Sequence, residues 1–508
     1  MPTPRQAHAH RLSALLVVLI AGALASLHGT AAAPGGQAAP PPNVVVILTD
    51  DQGYGDVAAF NPASRIPTPH IDQLAREGMR FTDAHTSSSV CTPTRYALLT
   101  GRYSWRTSLK KGVLWGNGDA LIEARRPTIA SVLKARGYHT AAVGKWHLGI
   151  HWAARPGAQV DRTTTQGPTE WIDYTQPFSG GPLDVGFDEF FGIAASLDMR
   201  DYVYLEGNRV VEPPTANLPG IPQGVPGFHR PGAAAPSFRP ETVIDEVTAR
   251  AVRVIETQAR ASTPFFLYVP FAAPHTPMLP TGSFVGRTPL GPYGDFVAQT
   301  DAAVGTVLAA LARTGQADRT LVIFASDNGP APAGGIAKLL DLGHDAAGGW
   351  RGTKHTLYEG GTRVPFVVRW PGVVKAGSVT RRTVVITDVL RTVADAVGAP
   401  VSDGAEDSVS FLPVLRDPET SVPLHEAIVM QSDAGAFAIR QGKWKLLLAP
   451  GDGRASDIGA PPDGRPPVQL YDLDADPKET TNLQAAHPEV VKRLQDLLAR
   501  YERQGRSR

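Results

Sequence analysis

Oxygen-bearing side chains follow two apolar runs that lie far apart in the sequence. Asp50 and Asp51 follow one run directly, and Asp327 and Asn328 follow the other after a single serine. Carboxylate and amide oxygens are the ligands that hard cations such as Ca²⁺ or Mg²⁺ prefer. Either pair alone is better explained as an ordinary turn. If both runs are strands of one open sheet, however, the four side chains converge on a candidate metal site.

Basic side chains occupy other positions where strands are expected to end or begin. They are Lys145, His147, His275 and Lys354. A single lysine or histidine in a loop is usually only solvated. On the face proposed for the metal, these four would supply the donors that a bound oxyanion needs.

Cys91 is followed two positions later by Pro93, a residue favoured in the first turn of a helix. The thiol is therefore expected at or near a helix N-terminus, where the dipole favours an anion and lowers a thiol pKa. A cysteine hydrolase is the first prediction from these residues, although a small buried core cysteine is the more ordinary role. A soft thiolate also fits poorly beside a hard cation and three carboxylates, so the residues alone leave the role open.

The elements that would position these groups alternate between short apolar strands and amphipathic helices. We expect core strands at 43–49, 138–143, 264–269, 320–325 and 364–370. We expect helices at 128–136, 241–261, 296–312 and 386–397. The interleaving predicts an α/β fold with a large, mostly parallel or mixed central sheet sandwiched by helices.

The pattern changes after about residue 400. Two apolar runs, 436–441 and 444–448, flank a tight turn, and a charged helix is expected over 488–501. We therefore expect a catalytic domain over 43–400 and a smaller α+β domain over 401–508, with an antiparallel sheet and one helix.

The N-terminal residues have the pattern of a secretory signal. Arg5 and Arg11 precede the uncharged apolar run 12–27, and small residues follow it. We expect a signal peptide over 1–33 and a linker over 34–42, and hence a secreted protein, periplasmic or extracellular. An uncleaved anchor is the alternative, but the run is shorter than the ~20 residues of a spanning helix, so no stable membrane insertion is expected after cleavage.

Composition excludes several classes of protein. The 508 residues contain 49 Lys plus Arg and 48 Asp plus Glu, a net charge of +1, which provides no long-range field for nucleic acid. One cysteine rules out an intramolecular disulfide framework and any multi-thiolate metal site.

Five segments, in order, resemble the type I, formylglycine-dependent sulfatases. They are the strand ending in Asp50-Asp51, the run Cys91-x-Pro93-x-Arg95 followed by Thr100-Gly101, the stretch 137–147, the turn 326–329 and the segment 358–361. A tail element at 470–473 also matches. The pattern is most similar to the arylsulfatase A and N-acetylgalactosamine-6-sulfatase branch of the alkaline phosphatase superfamily, and the resemblance implies that fold.

The resemblance also implies a site chemistry. Cys91 would be oxidised to formylglycine by a formylglycine-generating enzyme and hydrated to a geminal diol, whose oxygen is a hard donor. One Ca²⁺ ion would be bound by Asp50, Asp51, Asp327 and Asn328, together with an oxygen of modified residue 91.

The same resemblance assigns roles to the basic residues. Arg95 and Lys145 would hold the diol and the developing oxyanion, and His147 would be the base that releases sulfate. His275 and Lys354 would bind sulfate and assist the leaving oxygen. The expected activity is hydrolysis of a sulfate ester, either an aryl sulfate or a sulfated carbohydrate.

Two alternatives remain from the sequence. One is a phosphodiesterase or phosphonate monoester hydrolase of the same superfamily, and the other is a sulfated-glycan binding protein without catalysis. Substrate contacts could come from the Gly- and Pro-rich loops 150–180 and 205–238, which contain Trp171, Tyr174, His229 and Arg230, or these loops could be plain surface.

Overall fold

The computed structural model describes residues 41–160, 169–401, 403–454 and 466–508. The predicted signal peptide and almost all of the predicted linker lie outside these residues. No helix in the described ranges is long and apolar enough to cross a membrane.

Strands and helices alternate along most of the described chain. The strands are β1 (Asn43–Thr49), β2 (Met79–Phe81), β3 (Ala84–His85), β4 (His139–Lys145), β5 (Glu189–Ile193), β6 (Leu205–Glu206), β7 (Arg209–Val210), β8 (Ala216–Leu218), β9 (Gly232–Ala234), β10 (Phe265–Pro270), β11 (Thr320–Ser326), β12 (Phe366–Arg369), β13 (Ser378–Thr380), β14 (Val384–Val385), β15 (Ile428–Gln431), β16 (Phe437–Gln441), β17 (Trp444–Leu447) and β18 (Gln469–Asp472). The α-helices are α1 (Pro69–Glu77), α2 (Cys91–Thr100), α3 (Ile129–Lys134), α4 (Val243–Gln258), α5 (Pro292–Arg313), α6 (Ile336–Asp341), α7 (Glu359–Thr362), α8 (Val389–Ala396), α9 (Leu412–Arg416) and α10 (Pro488–Gln504).

Ten of the strands form one mixed sheet in the order β13-β2-β12-β11-β1-β10-β4-β5-β6-β7. Every residue of β1, β10 and β11 is buried, as expected of strands covered on both faces. Two groups of helices flank the sheet: α1 and α4 pack on α5, while α2 and α3 pack on α8. The predicted α/β sandwich is therefore confirmed, and the expected core strands agree with the structure to within two residues at each end.

The sheet topology decides which residues share an edge. Strands β11, β1, β10 and β4 are parallel neighbours, so their carboxyl ends lie at the same edge. Strand β12 runs antiparallel to β11, with Phe366 opposite Ala325, so its amino end lies at that edge as well. Residues after four strands and residues before a fifth therefore meet in one region.

Close backbone packing at this edge requires glycine. Gly144, near the end of β4, has a φ of 138°, and a Cβ there would lie 2.0 Å from the carbonyl oxygen of Pro270. A side chain at this position would push β4 away from β10, and with it the lysine that follows.

The C-terminal segment forms a second sheet, with the antiparallel order β15-β16-β17-β18. Helix α10 packs on it, burying Leu494, Leu497 and Leu498 against Ile439 and Leu446. The expected antiparallel sheet and packing helix are thus confirmed. The domain boundary near residue 400 stays a prediction.

A cluster of buried ionic side chains links this second sheet to the large one. We call it the docking cluster; it comprises Asp83, His85, Glu359, Arg363, Arg440, Lys445 and Glu479. Its central cation is Lys445 of β17, which lies 2.9 Å from Glu359 and 2.8 Å from Glu479. Burial alone would raise the pKa of Glu359, but Lys445 and then Arg363 outweigh it and hold this pKa well below its ordinary value.

The substitution K445M is expected to destabilise the protein strongly, because two fully buried carboxylates would lose the cation between them. Removal of one partner from a buried ion pair lowers the free energy of unfolding by about 3–5 kcal/mol. Chemical denaturation of K445M and of the unchanged protein measures the difference.

The matched control is K443M, the same substitution two residues earlier. Lys443 forms a 2.7 Å pair with Asp472, but 46% of its side chain is exposed. Little change is expected, because solvent screens such pairs. Equal stability of K445M and K443M would contradict a docking role for the buried cluster.

Candidate active site

Three carboxylates and an amide meet where β1 and β11 end. Thr49 of β1 pairs in register with Ser326 of β11, so the residues that follow the two strands lie side by side. The backbone N–H of Asp51 donates to Asp327 Oδ1 at 3.1 Å, and Asn328 Nδ2 donates to Asp51 Oδ1 at 2.7 Å. Asp50, Asp51, Asp327 and Asn328 are at most 2% exposed. The convergence predicted from the two strand ends is confirmed by this geometry.

The turn after β1 is held in an uncommon conformation. Asp51 has a φ of 66°, and the next backbone N–H, that of Gln52, donates to Ser326 Oγ at 3.0 Å. The Ser326 hydroxyl in turn donates to the Asn328 carbonyl oxygen at 2.9 Å. Ser326 therefore fixes both turns against each other, a role that its sequence position alone did not indicate.

Helix α2 begins at Cys91, as the proline two residues later predicted. The thiol lies 3.5 Å from Asp50 Oδ1 and 3.4 Å from Lys354 Nζ, and residue 91 is 1% exposed. The expected lowering of the thiol pKa is wrong: burial, followed by the charge of Asp327, raises the pKa of Cys91 well above its ordinary value. Loss of hydration outweighs the helix dipole and the two nearby lysines.

Arg95 lies one helical turn after Cys91 and points at the same cluster. Its Nε and Nη2 donate to Asp327 Oδ2 at 3.0 and 2.8 Å, and its Nη1 donates to the Lys145 carbonyl oxygen at 3.0 Å. Arg95 is fully buried, and both of these donors converge on one charged carboxylate oxygen, which makes the two hydrogen bonds charge-assisted. It therefore ties α2 to the ends of β4 and β11.

Two lysines neutralise the remaining carboxylates. Lys145 Nζ lies 2.5 Å from Asp50 Oδ2, and Lys354 Nζ lies 2.6 Å from Asp51 Oδ1. Burial alone would raise the pKa of Asp50, but Lys145 and three further basic residues outweigh it and hold this pKa well below its ordinary value. By contrast, burial and then the charge of Asp50 raise the pKa of Asp327 to about 6. The carboxylates are thus electrostatically linked.

The two histidines approach the cluster from different loops. His147 donates from Nε2 to the Leu114 carbonyl oxygen at 2.7 Å, which leaves its buried Nδ1 without a partner in the described part of the chain. Burial, followed by Lys145 and Arg95, holds the pKa of His147 well below its ordinary value, so its imidazole is neutral. His275 Nε2 lies 3.6 Å from Asp51 Oδ2, and its Nδ1 donates to the Thr276 carbonyl oxygen at 2.6 Å.

All ten candidate site residues thus lie in one buried cluster at the shared sheet edge. Four of them, Asp50, Asp51, Cys91 and His275, offer ligand atoms within 4.8 Å of one another. The cluster can hold an oxygen-ligated cation, and it has cationic and imidazole groups that can hold an oxyanion.

Sequence reasoning missed the residues that support this cluster. Asp56 accepts hydrogen bonds from Gly53 N at 2.7 Å, Tyr293 Oη at 2.5 Å and His344 Nε2 at 2.9 Å, which anchors the chain just after the first acidic pair. The available signal was the short polar and glycine-rich run 51–56, which ends in Asp56. The Leu114 carbonyl that orients His147 has no signal in the sequence, because any residue type supplies a carbonyl.

The loop residues suggested for substrate contact fall into two groups. Trp171 and Tyr174 belong to the hydrophobic core, and His229 is buried between the carbonyl oxygens of Pro219 and Gly227. The side chain of Arg230 is 35% exposed. Part of the first loop, 161–168, lies outside the described residues.

Comparison with known proteins agrees with this geometry. Residues 42–399 match the family described as sulfatase. An N-acetylgalactosamine-6-O-sulfatase of Bacteroides thetaiotaomicron is 34% identical over 492 residues, which cover 89% of this chain and 91% of that protein. Human arylsulfatase A is 34% identical over 479 residues, covering 89% of this chain and 85% of that protein.

Solved structures show the same architecture. A structure from work on the metabolism of multiple glycosaminoglycans by Bacteroides thetaiotaomicron superposes with a TM-score of 0.77 at 31% identity, covering 90% of this chain and 98% of that one. A sulfatase of Pseudoalteromonas sp. at 23% identity shares the fold, with a TM-score of 0.68 over 98% of this chain and 95% of that one. The chain belongs to the sulfatase family, and the protein is a hydrolase of sulfuric esters.

Proposed function

We propose that the protein hydrolyses sulfate esters through residue 91 in its formylglycine form, beside a bound Ca²⁺ ion. The observation that carries the proposal is the position of the Cys91 side chain, between a carboxylate of the oxygen cluster and Lys354. A thiol whose pKa is raised by burial stays protonated, and protonated sulfur is a weak nucleophile and a poor neighbour for a hard cation. An aldehyde hydrate at the same position would present hard oxygen atoms.

The oxygen cluster fits a cation. Asp51 Oδ2 and Asn328 Oδ1 are buried and have no hydrogen-bond partner in the described part of the chain, which is costly unless another group uses them. Asp50, Asp51, Asp327 and Asn328 would hold the ion with an oxygen of residue 91. Ca²⁺ bound there would polarise the S–O bond as a Lewis acid and neutralise charge on sulfate.

The charge balance supports the same proposal. Three buried carboxylates face three buried cations, Arg95, Lys145 and Lys354, so the cluster without a metal has little net charge. A divalent cation would make the site positive and would favour an anionic sulfate ester. It would also release the lysines from the carboxylates for contact with the substrate.

The proposal assigns the remaining steps to the surrounding side chains. A hydrated formylglycine at residue 91 has two hydroxyl groups, one to attack sulfur and one to expel sulfate afterwards. Arg95 and Lys145 would orient these hydroxyls, and the free Nδ1 of neutral His147 would accept the proton when sulfate leaves. His275 and Lys354 would bind the sulfate oxygens and assist the leaving alcohol oxygen.

Burial of residue 91 constrains how the modification occurs. At 1% exposure the side chain is inaccessible in the folded protein. A formylglycine-generating enzyme would therefore act on the chain before it folds, which agrees with a protein that is secreted into the periplasm or outside the cell.

The relatives at 34% identity support an aryl sulfate or a sulfated carbohydrate as substrate.

Protein from the native host is expected to carry an aldehyde at residue 91. Mass spectrometry of the peptide 91–95 should show a CHO group in place of CH₂SH, and the C91A variant should lose about 10³-fold or more of the sulfatase activity. Hydrolysis of 4-nitrophenyl sulfate and of bis(4-nitrophenyl) phosphate is measured in parallel. Unmodified cysteine in fully active native protein would overturn the proposed mechanism, and faster phosphodiester hydrolysis would overturn the substrate class.

Removal of calcium is expected to lower thermal stability as well as activity. An ion present at 100 times its Kd contributes about 2.7 kcal/mol to folding. Elemental analysis of the dialysed protein should find one Ca²⁺ per chain, and D51N should abolish it.

The control for the metal experiment is D318N, at an aspartate whose side chain is 96% exposed. D318N should bind one Ca²⁺ per chain, and its melting temperature should fall on chelation as that of the unchanged protein does. Full calcium occupancy in D51N would contradict the proposed ligand set.

A further inference from the structure

Three chain segments that contact His147, or the residue after His275, lead to one common place. The backbone N–H of His147 donates to the Ala194 carbonyl oxygen at 2.9 Å, and Asp198 follows four residues later. The side chain of His147 donates to the carbonyl of Leu114, the residue before Trp115.

The third segment is the loop that contains Phe228 and Arg230. Thr276, which follows His275, donates from its hydroxyl to the Phe228 carbonyl oxygen at 3.3 Å. Arg230 lies two residues beyond Phe228, on the same loop. Short stretches of chain thus link Asp198, Trp115 and Arg230 to the segments of both histidines.

Asp198, Trp115 and Arg230 meet at this place. Arg230 Nη1 donates to Asp198 Oδ2 at 2.7 Å, and the guanidinium carbon lies 4.5 Å from the centroid of the Trp115 ring. The backbone N–H of Arg230 also donates to the Asp198 carbonyl oxygen at 3.2 Å. Salt bridge and ring contact therefore hold the guanidinium in one orientation.

One polar atom of this group has no partner. Asp198 is 7% exposed, and its Oδ1 has no hydrogen-bond partner within the described ranges. The Nδ2 of Asn117, a residue that is 4% exposed and follows Trp115 by two positions, lacks a partner among the described residues as well. Buried polar atoms in this state are costly, and a site built to bind a polar ligand explains them.

We propose that Asp198 and Arg230, supported by Trp115, form a subsite for the hydroxyl groups of a sulfated sugar. This inference rests on the proposed function. A hydroxyl both donates and accepts, so Asp198 Oδ1 can accept from one sugar hydroxyl while the exposed part of the Arg230 guanidinium donates to a neighbouring one. An aryl sulfate has no hydroxyls to offer and would leave Asp198 Oδ1 unpaired.

The charges at the subsite favour neutral hydroxyls over a second sulfate. Arg230 is already paired with Asp198, so the pair has no net charge. An additional sulfate would face the carboxylate of Asp198 as well as the guanidinium. The subsite therefore selects a sugar whose hydroxyls near the ester are unsubstituted.

The test compares two substrates in the formylglycine-bearing, calcium-loaded enzyme. They are N-acetylgalactosamine 6-sulfate and 4-nitrophenyl sulfate, each measured as kcat/KM for the unchanged protein, D198A and D198N. The ratio of sugar to aryl kcat/KM is expected to fall about 30-fold or more in D198A, because only the sugar loses a hydrogen-bond acceptor. For D198A, 3-deoxy or 4-deoxy sugar sulfates should show a smaller loss than the parent sugar.

The matched control is R313A, which breaks the exposed Arg313–Glu256 pair, a 2.6 Å contact between α4 and α5. It should leave the sugar-to-aryl ratio unchanged. Melting temperatures of all variants are recorded, and D198N tests the same contact with the shape of the side chain preserved.

The outcomes distinguish failure of the subsite from failure of the proposed function. An equal loss on both substrates in D198A and D198N, or no loss on the sugar, would overturn the subsite. An enzyme that cleaves the aryl sulfate but none of the sulfated sugars would overturn the subsite and leave the proposed function standing. If the loaded enzyme cleaves neither substrate class, the proposed function fails as well.

Discussion

The structure depends on the burial of three carboxylates at one point. The parallel pairing of β1 with β11 forces Asp50, Asp51 and Asp327 together, away from water. Like charges at this separation repel, and each loses its hydration, so the arrangement is stable only if positive groups surround it. Arg95, together with lysines from two further segments, meets this requirement.

This requirement explains much of the architecture around the site. The cations come from segments that are far apart in the sequence: the start of α2, the end of β4 and the loop before β12. Strand β12 runs antiparallel to β11, so the chain that precedes it begins the strand at the same edge, and Lys354 belongs to this preceding chain. The docking cluster then braces the segment after Lys354 through Glu359 and Lys445, so the second sheet supports the site without contributing one of the ten candidate residues.

Burial also changes what individual side chains can do. Cys91 lies at a helix N-terminus, which favours a thiolate, yet the absence of water raises its thiol pKa. The same burial keeps His147 neutral, and the hydrogen bond from its Nε2 to the Leu114 carbonyl leaves Nδ1 without a partner among the described residues. Burial therefore suppresses thiolate chemistry at Cys91 and keeps the imidazole of His147 uncharged.

The sequence by itself determined the core strands and the start of α2, because these follow from local apolar patterns and from the position of one proline. It also determined the ten candidate site residues, through the strand ends and through the resemblance of short motifs to the sulfatases. Tertiary structure alone decided the thiol pKa of Cys91, the free nitrogen of His147 and the pairing of Asp198 with Arg230. It also decided that Trp171, Tyr174 and His229 are interior residues, whereas the side chain of Arg230 is partly exposed. The physical reason is that a pattern along the chain reports which residues are apolar or turn-forming, whereas desolvation and charge pairing depend on neighbours that only folding brings together.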